Sequence, residues 1–279
     1  GGNGANIDLR NVSTTGTQTY NNTGGTPGLT RLNGTLDNTT NGPINFNGGV
    51  QLLGDSAVTS TGAAPINFSS TINGAFALNV NTTQITFFGG NIGGTAPLAS
   101  LTTNAGGTTR FSNAITVITT GSQTYNDAVV LFDVPAGADY VFQSNAGQII
   151  SFNSTVDGGT DFQQRLTVNN AFAQFGGAVG AAVPLEGLVL NGGLNLANSN
   201  PINFGSTPVT LGPVQGNGNS LIINASSLIT IAGPFTNVLD FTTDAGGGTC
   251  LDVDLTISGT FAFNDDVCLG GAVGSTRVL

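Results

Sequence analysis

The string Val117-Ile-Thr-Thr-Gly-Ser-Gln-Thr-Tyr-Asn-Asp-Ala-Val129 has a counterpart near each end of the chain. The first reads Val12-Ser-Thr-Thr-Gly-Thr-Gln-Thr-Tyr-Asn-Asn-Thr23 and the last Leu255-Thr-Ile-Ser-Gly-Thr-Phe-Ala-Phe-Asn-Asp-Asp-Val267. Each is a polar run reaching a glycine, then a short alternating stretch ending on an aromatic residue and asparagine. Alternation with period two marks a strand buried on one side. The shared core, an aromatic residue, three small or polar residues, then Val or Ile, recurs at Phe46…Val50, Phe68…Ile72, Phe88…Ile92, Phe111…Ile115, Tyr125…Val129, Phe152…Val156, Phe175…Val179 and Phe263…Val267. Looser versions lie at Tyr20, Phe204 and Ile231. The mean spacing of about 24 residues falls in the range of solenoids and propellers. The interval between Phe111 and Tyr125 is anomalous at 14 residues, so one of the two need not begin a turn.

Composition points the same way. The 279 residues include 43 Gly but also 17 Phe, with 39% apolar and only 7% charged; a disordered chain would be poor in aromatics and rich in charge. In a parallel stack every side chain sits about 4.8 Å from its counterpart in the next turn. Like charges repel there, while Thr, Ser and Asn hydrogen-bond to their copies. The sequence places those neutral residues between the apolar ones. We therefore expect an all-β fold, a parallel β-helix (β-solenoid) of 10–12 turns, right-handed, as a single elongated domain over 1–279 with larger internal units at 12–116 and 117–267. A β-sandwich array is the alternative, but its strands and hairpin turns would recur every 8–12 residues.

Within this frame, Pro43-Ile-Asn-Phe46, Pro65-Ile-Asn-Phe68 and Pro201-Ile-Asn-Phe204 each open a strand with proline, where the missing N–H disturbs the ladder least. Ile44 and Phe46 then face the core and Asn45 the solvent. Two longer pairs recur: Phe88-Gly-Gly-Asn-Ile-Gly-Gly with Phe175-Gly-Gly-Ala-Val-Gly-Ala, and Leu101-Thr-Thr-Asn-Ala-Gly-Gly-Thr-Thr109 with Phe241-Thr-Thr-Asp-Ala-Gly-Gly-Gly-Thr249. Insertions between copies belong on projecting loops; the candidates are Phe132 to Tyr140, Gln163 to Asn170 and Gly212 to Ser220, and Asn22 to Gly28 reads as a turn.

Strings such as Thr119-Thr-Gly-Ser-Gln-Thr-Tyr-Asn-Asp-Ala128, Pro97-Leu-Ala-Ser-Leu-Thr-Thr-Asn-Ala-Gly-Gly-Thr-Thr109 and Phe175-Gly-Gly-Ala-Val-Gly180 resemble the β-strand repeats of bacterial surface proteins related to filamentous haemagglutinins. The resemblance implies a right-handed parallel β-helix on a secreted, cell-surface or filament-forming protein, and brings no catalytic residues with it.

Charge narrows the partners. There is no Lys or His, the only cations are Arg10, Arg31, Arg110, Arg165 and Arg277, and the net charge is −10. Nucleic acid and anionic membrane surfaces both require clustered cations. The most apolar stretch, Phe175 to Leu190, is interrupted by Pro184 and Glu186, so no membrane insertion is expected. A chain starting at Gly1 reads as a processed product or an excised segment.

The two cysteines, Cys250 and Cys268, have no histidine to complete a zinc site and read as a disulfide pinning the final turn, with free thiols as the alternative. The acidic patch Asp240, Asp244, Asp252, Asp254, Asp265 and Asp266 has three readings. It is a solvated end that discourages wrong edge pairing, a calcium site built from Asp252, Asp254, Asp265 and Asp266, or a catalytic carboxylate pair. Asp252 and Asp254 are expected on one face of one strand. Gly1-Gly-Asn-Gly-Ala-Asn-Ile-Asp-Leu9 only brushes against a calcium-binding nonapeptide, because Asn6 replaces its aspartate. Thr17-Gln-Thr19 lacks the regular partners an ice-binding ladder would need.

These features favour an extracellular or cell-surface structural protein of a bacterium that is a subunit or segment of a surface fibre, filament or layer with a linked adhesive role. Its principal partner is itself: the first and last strings are in the same phase, so head-to-tail stacking would satisfy open strand edges and propagate a filament. The alternatives are a glycan-binding adhesin module using Tyr20, Tyr125 or Tyr140 as stacking platforms, and an Asp-based polysaccharide-cleaving enzyme drawing on Asp pairs, Glu186 or tyrosine. Sequons such as Asn38, Asn81 and Asn153 are candidate carriers of sugar.

Overall fold

The computed structural model describes residues 5–22, 28–132, 138–159, 163–205 and 207–270. Short runs of alternating residues separated by Gly, Asn and Ser cannot bury both faces in a hairpin; stacked in parallel, they share one continuous core. The first turn consists of Ile7–Leu9, Val12–Thr14 and Gln18–Tyr20. The second repeats the plan with Thr30–Leu32, Thr35–Asn38 and Ile44–Phe46, and the third with Val50–Leu52, Ser56–Ser60 and Ile66–Phe68. Successive turns pair in parallel, strand on strand.

Three faces result. The second is an unbroken sheet of 11 strands in sequence order. The first and third are each split into two sheets, and single-residue bridges close the gaps: Ile72 to Ile92 to Val117, and Val156 to Val179 to Ile202. The molecule is a parallel β-solenoid of about eleven turns, and the described residues contain no helix.

Alternation sets what lies inside. Ile44 and Phe46 are fully buried while Asn45 faces outward, and Ile66, Phe68 and Asn67 repeat this one turn on. Burying each such phenylalanine contributes about 1.5–3 kcal/mol. The outward ladders carry hydrogen bonds between like amides: Asn67 Nδ2 donates to Asn45 Oδ1 at 2.8 Å, Asn224 to Asn203 at 2.7 Å and Asn153 to Asn126 at 2.8 Å. Charge enters a ladder as opposite signs on neighbouring rungs. Asp8 pairs with Arg31, and Asp139 holds Arg165 at 2.8 and 2.7 Å.

The recurring aromatic motif turns out to be a corner. In Phe46…Val50, Phe68…Ile72 and Phe88…Ile92 it links the third face to the first of the next turn. In Tyr125…Val129 and Phe152…Val156 it links the second face to the third. The aromatic anchors therefore form two ladders. Tyr20, Phe46, Phe68, Phe88 and Phe111 stack on the third face with centroids 5.2, 4.7, 5.4 and 5.3 Å apart. Tyr125, Phe152 and Phe175 stack on the second at 5.2 and 5.5 Å. The short interval between Phe111 and Tyr125 is the step from one ladder to the other.

Close approach at corners explains the paired Phe-Gly-Gly strings. A Cβ on Gly90 would lie 2.6 Å from the Ser70 carbonyl carbon, and one on Gly177 would lie 2.5 Å from that of Ser154. Only glycine lets the corner nest on the turn before it.

Two expected loops need correction. Gln163 to Asn170 is occupied by the strand Gln164–Asn169, held in register by the Asp139–Arg165 pair, and Gly212 to Ser220 contains the strand Val214–Gln215. In the third, 133–137 lie outside the described residues and Ala138–Gln143 is a strand. Residues 23–27 of the Asn22 to Gly28 turn also lie outside the description.

Candidate functional site

The repeated Thr-Thr-Gly-x-Gln-Thr-Tyr string builds the same network twice, buried at Tyr125 and partly buried at Tyr20. Tyr125 Oη donates to Gln123 Oε1 at 2.9 Å, and Gln123 Nε2 donates to Thr119 Oγ1 at 3.2 Å and to the Gln143 carbonyl at 2.8 Å. In the first turn Tyr20 Oη donates to Gln18 Oε1 at 2.7 Å, and Gln18 Nε2 to Thr14 Oγ1 at 2.9 Å and the Asp37 carbonyl at 2.8 Å. Each network lets a polar strand end enter the core with its hydrogen bonds satisfied.

This overturns the tyrosine platforms. Tyr125 and Tyr140 are fully buried. Burial pushes the Tyr125 phenol well above its ordinary pKa, and Tyr140 Oη donates to the Phe132 carbonyl at 2.6 Å. Tyr20 is half-buried and stacked on Phe46. Tyr125 and Tyr140 therefore offer no ring face to a sugar, and Tyr20 has one face taken up by Phe46.

Asp127 stands in a Tyr-Asn-Asp setting that matches Phe263-Asn-Asp265 and that its residue types alone do not mark as buried. Asp127 is buried; Oδ1 accepts the Gly107 N–H at 2.7 Å and Oδ2 the Thr109 hydroxyl at 3.4 Å. Burial raises its pKa, and those two donors pull it back in part. At another corner Asp265 accepts the Thr243 and Thr249 hydroxyls, each at 2.8 Å. Thr103 and Thr109, and Thr243 and Thr249, come from the two paired Thr-rich strings; these aspartates brace one turn against the previous one.

The remaining acidic residues do not gather. Asp252 and Asp254 were expected within a strand, but Gly248–Leu251 ends before them and they lie past the first face. Asp266 opens the strand Asp266–Leu269 opposite Gly248, while Leu269 pairs with Leu251 beside Asp252. Four residues of strand, about 13 Å, therefore separate Asp266 from Asp252, and the four expected calcium ligands are not one set. Among the described residues no group of three or more His, Cys, Asp or Glu side chains is placed to hold a metal ion. Asp240 accepts the Thr260 N–H at 2.8 Å and the Ser220 hydroxyl at 2.9 Å, which hold its carboxyl below the ordinary range. Asp244 accepts the Ala225 N–H at 3.0 Å. Glu186 is half-buried, with Oε2 shielded and without a hydrogen-bond partner.

Cys250 and Cys268 stand opposite each other on adjacent rungs, Cα atoms 4.5 Å apart, and are joined by a disulfide. The strand Asp266–Leu269 that this bond holds is exposed at all four residues, with Val267 and Leu269 among the most exposed large apolar side chains. Asn6 of the glycine-rich lead-in accepts the Leu29 N–H at 2.8 Å, and residues 1–4 lie outside the described residues.

Of the sequons, Asn38 is fully buried, its Nδ2 donating to the carbonyls of Gly16 and Gly42. Asn81 is half-buried and donates to Thr59 Oγ1 at 3.3 Å; Asn153 is exposed. No protein-family model matches the chain, and neither a curated protein nor a solved structure matches it.

Proposed function

We propose that this chain is a structural β-solenoid, a subunit or segment of a bacterial surface fibre or layer outside the cell, in which turns of adjoining copies stack head to tail. The observation that carries this reading is the phase of its end turns. Gly16 and Gly259 both stand at the corner between the second and third faces, and Gln18–Tyr20 and Phe261–Ala262 both lie on the third face. The outermost described turns thus present parallel strand edges in equivalent positions. The apolar side chains beside those edges, Ile7, Val12 and Tyr20 at one end and Phe261 and Phe263 at the other, are only partly covered. A further turn would satisfy the backbone groups and cover those side chains. The disulfide suits an oxidising compartment outside the cytosol.

Negative-stain electron microscopy over a concentration series tests the proposal. Fibres that lengthen with concentration are expected, and a chelator should not shorten them because the four aspartates are divided between two corners. Single rods roughly 50 Å long, the length of eleven rungs at about 4.8 Å, at every concentration would overturn self-stacking.

A further inference from the structure

The outward ladder of the third face runs Thr19, Asn45, Asn67, Phe87, Arg110, Val130, Asp157, one residue per turn. Its first three members are hydrogen-bonded polar side chains, with Asn45 to Thr19 at 3.4 Å and Asn67 to Asn45 at 2.8 Å. At Phe87 the ladder changes character. A ring, a guanidinium and an isopropyl group follow on successive rungs, and Phe132, two residues beyond Val130 on the same side, stands next to them at 39% exposure.

Arg110 is the centre of this patch. Its guanidinium carbon lies 5.7 Å from the Phe132 ring centroid. Arg31 and Arg165 are held by aspartates one rung away, but Arg110 has Phe87 and Val130 as its neighbours. Its Nε is shielded from solvent and has no acceptor. A buried N–H without a partner costs about 1–3 kcal/mol, and the rungs on either side of Arg110 carry no carboxylate to balance its charge. Both rings lie along the surface over glycines: a Cβ on Gly89 would come 2.8 Å from Phe87 Cε1, and one on Gly159 2.8 Å from Phe132 Cδ2. Asp157, the next charge along the ladder, already accepts the Ala182 N–H at 2.9 Å.

We infer that Phe87, Arg110 and Phe132 form a binding site for a carboxylate-bearing sugar unit of a surface polysaccharide. The carboxylate accepts from the guanidinium, which recognises planar anions through paired donors. The apolar C–H face of the sugar ring lies on a phenyl ring, and the amide of Asn67 on the adjacent rung offers a partner for a ring hydroxyl. The rung spacing of about 4.8 Å is close to the length of one hexose unit, so neighbouring sugars can follow neighbouring rungs. This site goes beyond the structural role proposed above and gives a ligand class to the linked adhesive role expected from the sequence. Because binding is read on single chains, failure of head-to-tail stacking leaves it untouched.

Isothermal titration of the full chain with tri-galacturonate tests the site, alongside its methyl ester, a neutral trisaccharide and a glutamate-containing tripeptide. Tri-galacturonate is expected to bind, with affinity at least about tenfold weaker, or 1.4 kcal/mol, for the ester and for Arg110→Gln, and several-fold weaker for Phe132→Ala. Arg110→Gln should melt at or above the parent and Phe132→Ala close to it, since both side chains lie outside the core. No binding of tri-galacturonate, equal binding of the ester, or binding unchanged in Arg110→Gln would overturn the inference. A tripeptide that binds as tightly as the sugar would overturn the ligand class.

Discussion

Phe111 and Tyr125 meet edge to face, ring centroids 5.4 Å apart and planes at 87°, because they stand on different faces of the stack. Phe142 from the first face closes the contact, 5.1 Å from Phe111, 5.6 Å from Tyr125 and 5.3 Å from Phe152. Four rings from three faces thereby join the two aromatic ladders in one core. Edge-to-face pairs contribute about 0.5–1.5 kcal/mol beyond the area they bury.

Phe142→Ala should therefore be among the most damaging single changes, costing about 3–5 kcal/mol. Phe263→Ala, at a partly covered end position, should cost under half of that. Urea unfolding of both variants checks the ranking; equal losses would mean that the junction is not where the core is tied together.

Tyr125→Phe removes one hydroxyl and leaves Gln123 Oε1 buried without its donor, a loss of about 1–3 kcal/mol. Tyr20→Phe breaks the same bond where water can reach it and should cost less. Parallel melting curves of the two variants give the comparison, and a larger loss for Tyr20→Phe would contradict the burial argument.

The disulfide should act locally. Reduction, or Cys268→Ser, is expected to speed amide hydrogen exchange along Asp266–Leu269 while Leu78 and Val80, buried mid-stack, exchange as before. Loss of protection along the whole stack would show that the terminal strand holds more than its own turn.

Two aspartates should respond to pH in opposite directions. Hydrogen bonds hold Asp240 below the unfolded value of about 3.9, so its stabilisation is present above that pH and is lost as pH falls through the folded pKa. Burial holds Asp127 above it, so the advantage of its neutral form is full below about 3.9 and is lost as pH rises through the raised pKa. Melting temperatures from pH 3 to 7 should show Asp240→Asn destabilised mainly at the upper end. Asp127→Asn should gain relative to the parent as pH rises, and an unchanged difference across the range would refute the assignment.

Expression in a glycosylating host should leave Asn38 unmodified, since both of its amide hydrogens are engaged inside the corner. Asn153, exposed, is the better acceptor of the two. Mass spectrometry of glycopeptides reads the outcome, and sugar on Asn38 would show that this corner opens or forms late.

What the sequence determined by itself was the inside and the outside of each strand. Ile44 and Phe46 could only share one face and Asn45 the other, and stacked neutral residues announced a parallel coil, because both are consequences of a side-chain period of two and of like facing like. The tertiary structure decided which of three faces each strand occupies. All three present the same apolar interior and polar exterior, so Gln18–Tyr20 and Gln123–Tyr125 read alike although the first lies on the third face and the second on the second. The same blindness made Gln164–Asn169 look like a loop, since only its partner Asp139 reveals the role of Arg165. It also made Asp252 and Asp266 look like neighbours, though the first face lies between them. The Phe87, Arg110 and Phe132 patch had no motif to announce it. Its members are 45 residues apart from first to last and meet because the stack places each turn directly on the one before.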